Sequence, residues 1–234
     1  MSWLKPLATA ATLLVATFSF AQAQQGYGEW NEEIYEEDLD IRVFTREVAN
    51  SELKEFKGIT HIKAPVSAFV ALLKDTDVST EWMKDVVEYE VLDEVSETES
   101  LVYTVNAAPW PVTNRDAVIR SKMSQDENMA VTVQLSAEPE GKAKNDDYVR
   151  MPALTGFWKF TPQADGVVEV VYQVHANPGG SLPTWLVNSI VVETPLETLT
   201  NLHGKVVEEK YQGQTFAFMQ PAVEAASVEE VAAE

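Results

Sequence analysis

Between Tyr172 and Leu199 the chain reads YQVHANPGGSLPTWLVNSIVVETPLETL: an alternating strand, a sharp break, then a helix too apolar for a wet surface. Val168, Val170, Tyr172 and Val174 fall on one side of the strand, with Glu169, Gln173 and His175 on the other. Asn177-Pro178-Gly179-Gly180 ends the strand, after which Ser181 fits an N-cap and Pro183 an early helical position. The helix carries Leu182, Trp185, Leu186, Ile190, Val191, Leu196, Leu199 and Leu202. A stripe that broad needs cover, so the segment predicts a closing helix over the apolar face of a curved sheet. The space beneath it is either filled by side chains or open to a guest. Pro195 removes one helical hydrogen bond, at a cost of ~3 kcal/mol in an ordinary helix interior. It reads as a kink that wraps the helix over the sheet, or as part of a lid that opens with the loop Ala108 to Asn114.

The rest of the chain supplies such a sheet. Ile41 to Val48 and Leu53 to Ile62 read as a hairpin around Ala49-Asn50-Ser51. Pro65 opens a helix with Val66, Phe69, Val70 and Leu73 on one stripe, and Asp77 to Met83 is a short helical turn with Trp82 facing in. Further strands are expected at Val86–Val95, Thr98–Ala107, Arg115–Ser124, Met129–Ala137, Gly156–Thr161 and Val167–Ala176. Ala117, Ile119, Ser121 and Met123 share one side of their strand, and Val118, Arg120 and Lys122 the other. The acidic stretch Gln24 to Asp40 is expected as a short leading helix, and the polar run Glu138 to Asp147 as a break. Helices segregated from many strands indicate an α+β class with an antiparallel sheet.

Charge and composition narrow the partners. The chain has 234 residues with 37 acidic against 17 basic side chains, a formal charge of −20. Such a surface repels nucleic acid and anionic membrane, so no nucleic-acid partner is expected. The absence of Cys excludes disulfides, thiol nucleophiles and Cys-ligated zinc. Lys5, the apolar run Leu7 to Phe20 and Ala21-Gln22-Ala23 form the pattern of a cleavable export signal over residues 1–23, with a retained anchor as the alternative. Export to a bacterial periplasm is the expected localisation. One domain is expected over 24–213, followed by an acidic, disordered Ala/Glu-rich tail over 214–234.

Catalytic chemistry is sparse. His61, His175 and His203 show no metal-ligand spacing, and no nucleophile elbow, phosphate loop or dinucleotide fingerprint occurs. No catalytic residue, metal or cofactor is therefore expected. His203 reads as a cation at the C-terminal end of the last helix. Asn114-Arg115-Asp116 reads either as an ion pair for a ligand head group or as a structural tie at the strand start, and the tie is preferred.

Five blocks then resemble one family in order: LKEFKG (Leu53–Gly58), Glu81-Trp82-Met83, APWPVTNRDAVIRS (Ala108–Ser121), YVRMPALTGFWKFTP (Tyr148–Pro162), and PGGSLPTWLVN with VVETPLETL. Together they resemble START domains, the steroidogenic-acute-regulatory-related lipid-transfer family, over roughly Trp30 to Tyr211. The resemblance implies a helix-grip fold, a curved antiparallel sheet closed by a long C-terminal helix around a lipid-sized cavity. It implies non-covalent binding of a lipid or other hydrophobic molecule for transfer or sequestration, with transient membrane contact. The alternative is an enzyme of cyclase or hydrolase type using the same pocket. Some sterol-binding members of the family carry a cavity Arg five residues beyond the Asp of this motif; here that position is Ser121. Residues expected to line the cavity are Trp82, Val102, Asn106, Ile119, Ser121, Met123, Trp158, Tyr172, Trp185 and Ile190.

Overall fold

The computed structural model describes residues 27–220. The expected leader, residues 1–23, lies outside them. The elements in order are β1 (Asn31–Glu36), β2 (Ile41–Arg46), β3 (Glu55–Lys63), α1 (Val66–Lys74), α2 (Ser79–Trp82), β4 (Val86–Ser96), β5 (Glu99–Asn106), β6 (Arg115–Gln125), β7 (Val131–Ala137), β8 (Val149–Arg150), β9 (Ala153–Pro162), β10 (Val167–Asn177) and α3 (Thr184–Val206). One sheet runs β1-β2-β3-β10-β9-β7-β6-β5-β4, antiparallel throughout, with the short β8 alongside β6 in parallel. This is the α+β helix-grip architecture: a curved antiparallel sheet with α3 lying across β2 and β3.

One end of the sheet is packed solid. Phe69 of α1 stacks on Phe160 at 4.9 Å, and Ile41, Val43, Val168, Val170, Leu199 and Leu202 are buried around them. Gly58 lets α3 approach β3 closely, since a Cβ there would stand 2.6 Å from Leu199 Cδ1 and 3.2 Å from Pro195 Cβ. Pro195 sits within one continuous helix, against this contact.

Several elements differ from expectation. Within Gln24–Asp40, the segment Asn31–Glu36 forms an edge strand paired with β2, not a helix. Cation–π contacts favour this pairing: Arg42 lies 3.9 Å over Tyr35, and Arg46 lies over both Tyr27 and Trp30. β7 starts at Val131 because Asp126 Oδ1 accepts from the Asn128 and Ala130 amides, which places Met129 in a turn at φ 64°. α3 begins at Thr184 with Pro183 as its N-cap, so Ser181 lies outside the helix and caps nothing. The stretch Gln214 to Gln220, expected as part of the tail, is held in place. Phe216 and Phe218 pack on the core, and the Ala217 amide donates to Glu97. Residues 221–234 lie outside the described residues.

His203 is also corrected. Its Nε2 is 2.8 Å from Thr60 Oγ1, whose single proton goes to the Leu39 carbonyl. Thr60 therefore accepts, and the ring carries its proton on Nε2. Burial pushes its pKa below the ordinary value, despite the nearby carboxylates of Glu36 and Asp40, so the ring is neutral at pH 7. The unfolded chain takes up that proton more readily than the folded one. Stability is then complete above about pH 6.5 and falls as pH drops toward the depressed folded value. Denaturant midpoints measured from pH 7 to pH 5 should decline, and His203→Gln should flatten part of that slope.

Candidate ligand cavity

The other end of the sheet is hollow. A cavity of about 610 Å3 lies between β4, β5, β6 and the N-terminal half of α3. Its origin is side-chain size. Where α1 and the C-terminal half of α3 cover the sheet, Phe69, Leu72, Leu199 and Leu202 fill the gap. Toward β5 and β6 the inward positions include Thr104, Ala117 and Ser121, too short to meet the helix above. Leu182, Leu186, Ile190, Thr194 and Thr198, spaced by four, present one ridge of the closing segment to the void. Strand β10 divides the two regions: Val168 and Val170 belong to the packed core, while Tyr172, Val174 and Ala176 border the cavity.

Eight of the expected residues border this space: Val102, Asn106, Ile119, Ser121, Met123, Trp158, Tyr172 and Ile190. Tyr172 stacks flat on Trp158 at 3.8 Å and edge-on to Phe56 at 5.1 Å. Trp82 is corrected: it is 1% exposed in the packed core, 5.9 Å from Trp158. Its one-turn helix packs on α3, tied by Asn201 Nδ2 to the Trp82 carbonyl, and so turns the indole away from the void. The Trp185 side chain lies outside those described.

The wall is mostly apolar, with its charged side chains gathered in the 74–85 segment, along the β4–β5 hairpin and at Arg115. Asn106 Nδ2 donates to Thr104 Oγ1 at 3.3 Å, and Ser121 is buried. Burial pushes the Tyr89 phenol up to about 12 and raises Tyr172 further, so both hydroxyls stay protonated. Arg115 borders the cavity at 6% exposed, and burial lowers its pKa. Sequence reasoning missed its orientation although the signal was present. Arg115 has the parity of Ala117, Ile119, Ser121 and Met123, and all five border the same space.

The rest of its motif is structural, as preferred. Asn114 Oδ1 accepts from the Ala108 amide and closes the loop. Asp116 faces the opposite side of the sheet, where Arg150 Nε and Nη2 donate to it at 3.0 and 2.8 Å and the Tyr103 hydroxyl at 3.1 Å. That buried acid–tyrosine pair is remote from the cavity wall. The three histidines are engaged elsewhere: His61 with Asp40, His175 with Ser51 and His203 with Thr60. Among the described residues no three His, Asp or Glu side chains converge to hold a metal ion, and no helix is long and apolar enough to cross a membrane.

Comparison with known proteins agrees with this geometry. Residues 14–206 match the family described as START domain. An uncharacterized protein of Pseudomonas aeruginosa is 37% identical over 164 residues, 70% of this chain and 81% of that one. The crystal structure of a STAR-related lipid transfer protein fragment from Xanthomonas axonopodis has a TM-score of 0.70 at 40% identity, covering 76% of this chain and 98% of the other. Human StAR-related lipid transfer protein 5 reaches 0.68 at 16% identity, over 76% of this chain and 86% of its own, a likeness of fold alone. Sequence match and architecture coincide, and the chain belongs to the START domain family.

Proposed function

We propose that this protein takes up one lipid molecule non-covalently beneath α3 and transfers or sequesters it. One observation carries the reading: an apolar void of about 610 Å3 at one end of an otherwise packed core. Pockets of ~300–1,000 Å3 suit small-molecule ligands. Uptake is driven by desolvation, worth roughly 25 cal/mol per Å2 of apolar surface buried. The lipid-transfer description of the Xanthomonas relative supports the same reading. Binding is favoured over catalysis because, among the described residues, the buried pair Asp116–Tyr103 faces away from the void, the pair Asp75–Tyr211 lies outside its lining, and each histidine is engaged elsewhere.

Entry lies beside the loop Ala107–Asn114, whose first residues border the cavity and whose Trp110 is 92% exposed. An exposed indole suits brief contact with a membrane interface, while the acidic surface discourages lasting adhesion to anionic lipid. The signal pattern at residues 1–23 supports export to the periplasm as the place of action. Native mass spectrometry of the purified mature protein, followed by organic extraction, tests the carrier. A stoichiometric co-purifying lipid is the expected result. A protein that stays empty when offered lipid vesicles, yet turns over test esters, would overturn it.

A further inference from the structure

Three cationic side chains border the cavity among the described residues. Lys74 donates to the Glu97 carbonyl, and Lys84 is paired with Glu197 at 2.8 Å and Asp85 at 3.6 Å. Arg115 differs from both. It is 6% exposed, its guanidinium makes one hydrogen bond among the described residues, from Nη1 to the Thr113 carbonyl, and its Nε has no partner.

The unpartnered edge is informative. Nε–H and one Nη2–H of an arginine lie parallel and match the two oxygens of a carboxylate. This protein uses that edge twice: Arg150 on Asp116 with both atoms, and Arg120 on Glu138 with both atoms. In Arg115 the Nη1 side is occupied by backbone, and Nε, enclosed at the cavity wall, has no partner and no carboxylate paired with it among the described residues. A buried charge without a counter-ion is costly, and a cation left so in a chain of charge −20 needs an anion from outside. The acidic residues at the same cavity, Asp85 beside the entry loop and Glu94, Glu97 and Glu99 at its far end, repel free anions. An anion carried in on an apolar chain overcomes that repulsion by the burial of the chain.

We propose that the Arg115 guanidinium, which borders the cavity without a counter-ion, receives the anionic head of the bound lipid, a carboxylate, so that the cavity selects long-chain carboxylates over neutral lipids of the same chain. This rests on the carrier reading above and adds to it the chemical class of the head group. It also puts the head group at a position different from Ser121, where the family resemblance would look for a cavity arginine.

The test compares oleate with oleyl alcohol, which shares its chain and lacks the charge, on the mature protein by displacement of a fluorescent probe. Wild type should bind oleate about 10- to 100-fold more tightly, the range expected for hydrogen bonds to a charged group. In Arg115→Met the ratio of oleate to oleyl alcohol affinity should fall toward one, and Arg115→Lys should recover part of it. Equal affinity of wild type for the two probes, or a preference retained in Arg115→Met, overturns the proposal and leaves the carrier reading standing. Uptake of neither probe by wild type overturns both. Sodium acetate bound as tightly as oleate would make the site one for free small anions and would likewise overturn it. Should Arg115→Met fail to fold, the wild-type comparison decides alone.

Discussion

Asp116→Asn should destabilise the ligand-free protein by about 3–5 kcal/mol, the usual cost of stripping one partner from a buried ion pair. The side chains of Arg150 and Asp116 are 5% and 1% exposed. Asn keeps the shape of Asp but leaves the Arg150 guanidinium buried without its counter-ion. The Tyr103 hydroxyl also loses its charged acceptor, to which it donates at 3.1 Å. The damage spreads because this cluster ties the 138–150 segment to the sheet. Arg150 also donates to the carbonyls of Pro139 and Lys142, and the backbone of β8 pairs with Arg115 and Asp116 of β6. Urea unfolding of wild type, Asp116→Asn, Arg150→Met and the double variant measures the pair by a mutant cycle. The double variant should recover much of the loss, since neither charge is then left alone. A single-variant loss below about 1 kcal/mol would show that water reaches the pair and that the tie is a surface salt bridge in its energetics.

That cluster also shows where the sequence was legible. Alternation placed Ala117, Ile119, Ser121 and Met123 on one face of β6 and Arg120 on the other, and the structure keeps both assignments. The strands β4 to β7 and β10, helix α1 and the closing helix follow from period and punctuation. Tertiary pairing overrode local signals elsewhere. Asn31–Glu36 is acidic and has little strand propensity, yet β2 offers it a hydrogen-bonding edge and two arginines, one over Tyr35 and one over the preceding Trp30. The two-residue β8 has no periodicity to read, and it exists because Asp116 holds Arg150. Trp82 was misplaced for a related reason. An inward aromatic is equally consistent with packed core and cavity wall, and only the position of α3 decides. Arg115 was discounted because its neighbour Asp116 suggested a local ion pair, whereas adjacent strand residues face opposite sides of a sheet.

Filling the void should abolish lipid uptake without unfolding the protein. Ile119 borders the cavity from the middle of β6, opposite Val102 of β5. Ile119→Trp places an indole where the ligand chain would lie, and in an open space the larger ring meets few atoms that must move. Ordinary overpacking costs about 1–3 kcal/mol because a dense core resists insertion; here that penalty should be absent or reversed. Affinity for oleyl alcohol should drop by at least about 100-fold, equivalent to roughly 2.7 kcal/mol of lost binding. Lys122→Trp is the control: three residues along the same strand, its side chain 66% exposed, the added ring points to solvent and uptake should match wild type. Thermal midpoints and lipid occupancy by native mass spectrometry, read on the same samples, separate the two effects. Full occupancy in Ile119→Trp would mean that the lipid lies elsewhere on the protein, and the space beneath α3 would then be a packing defect instead of a binding site.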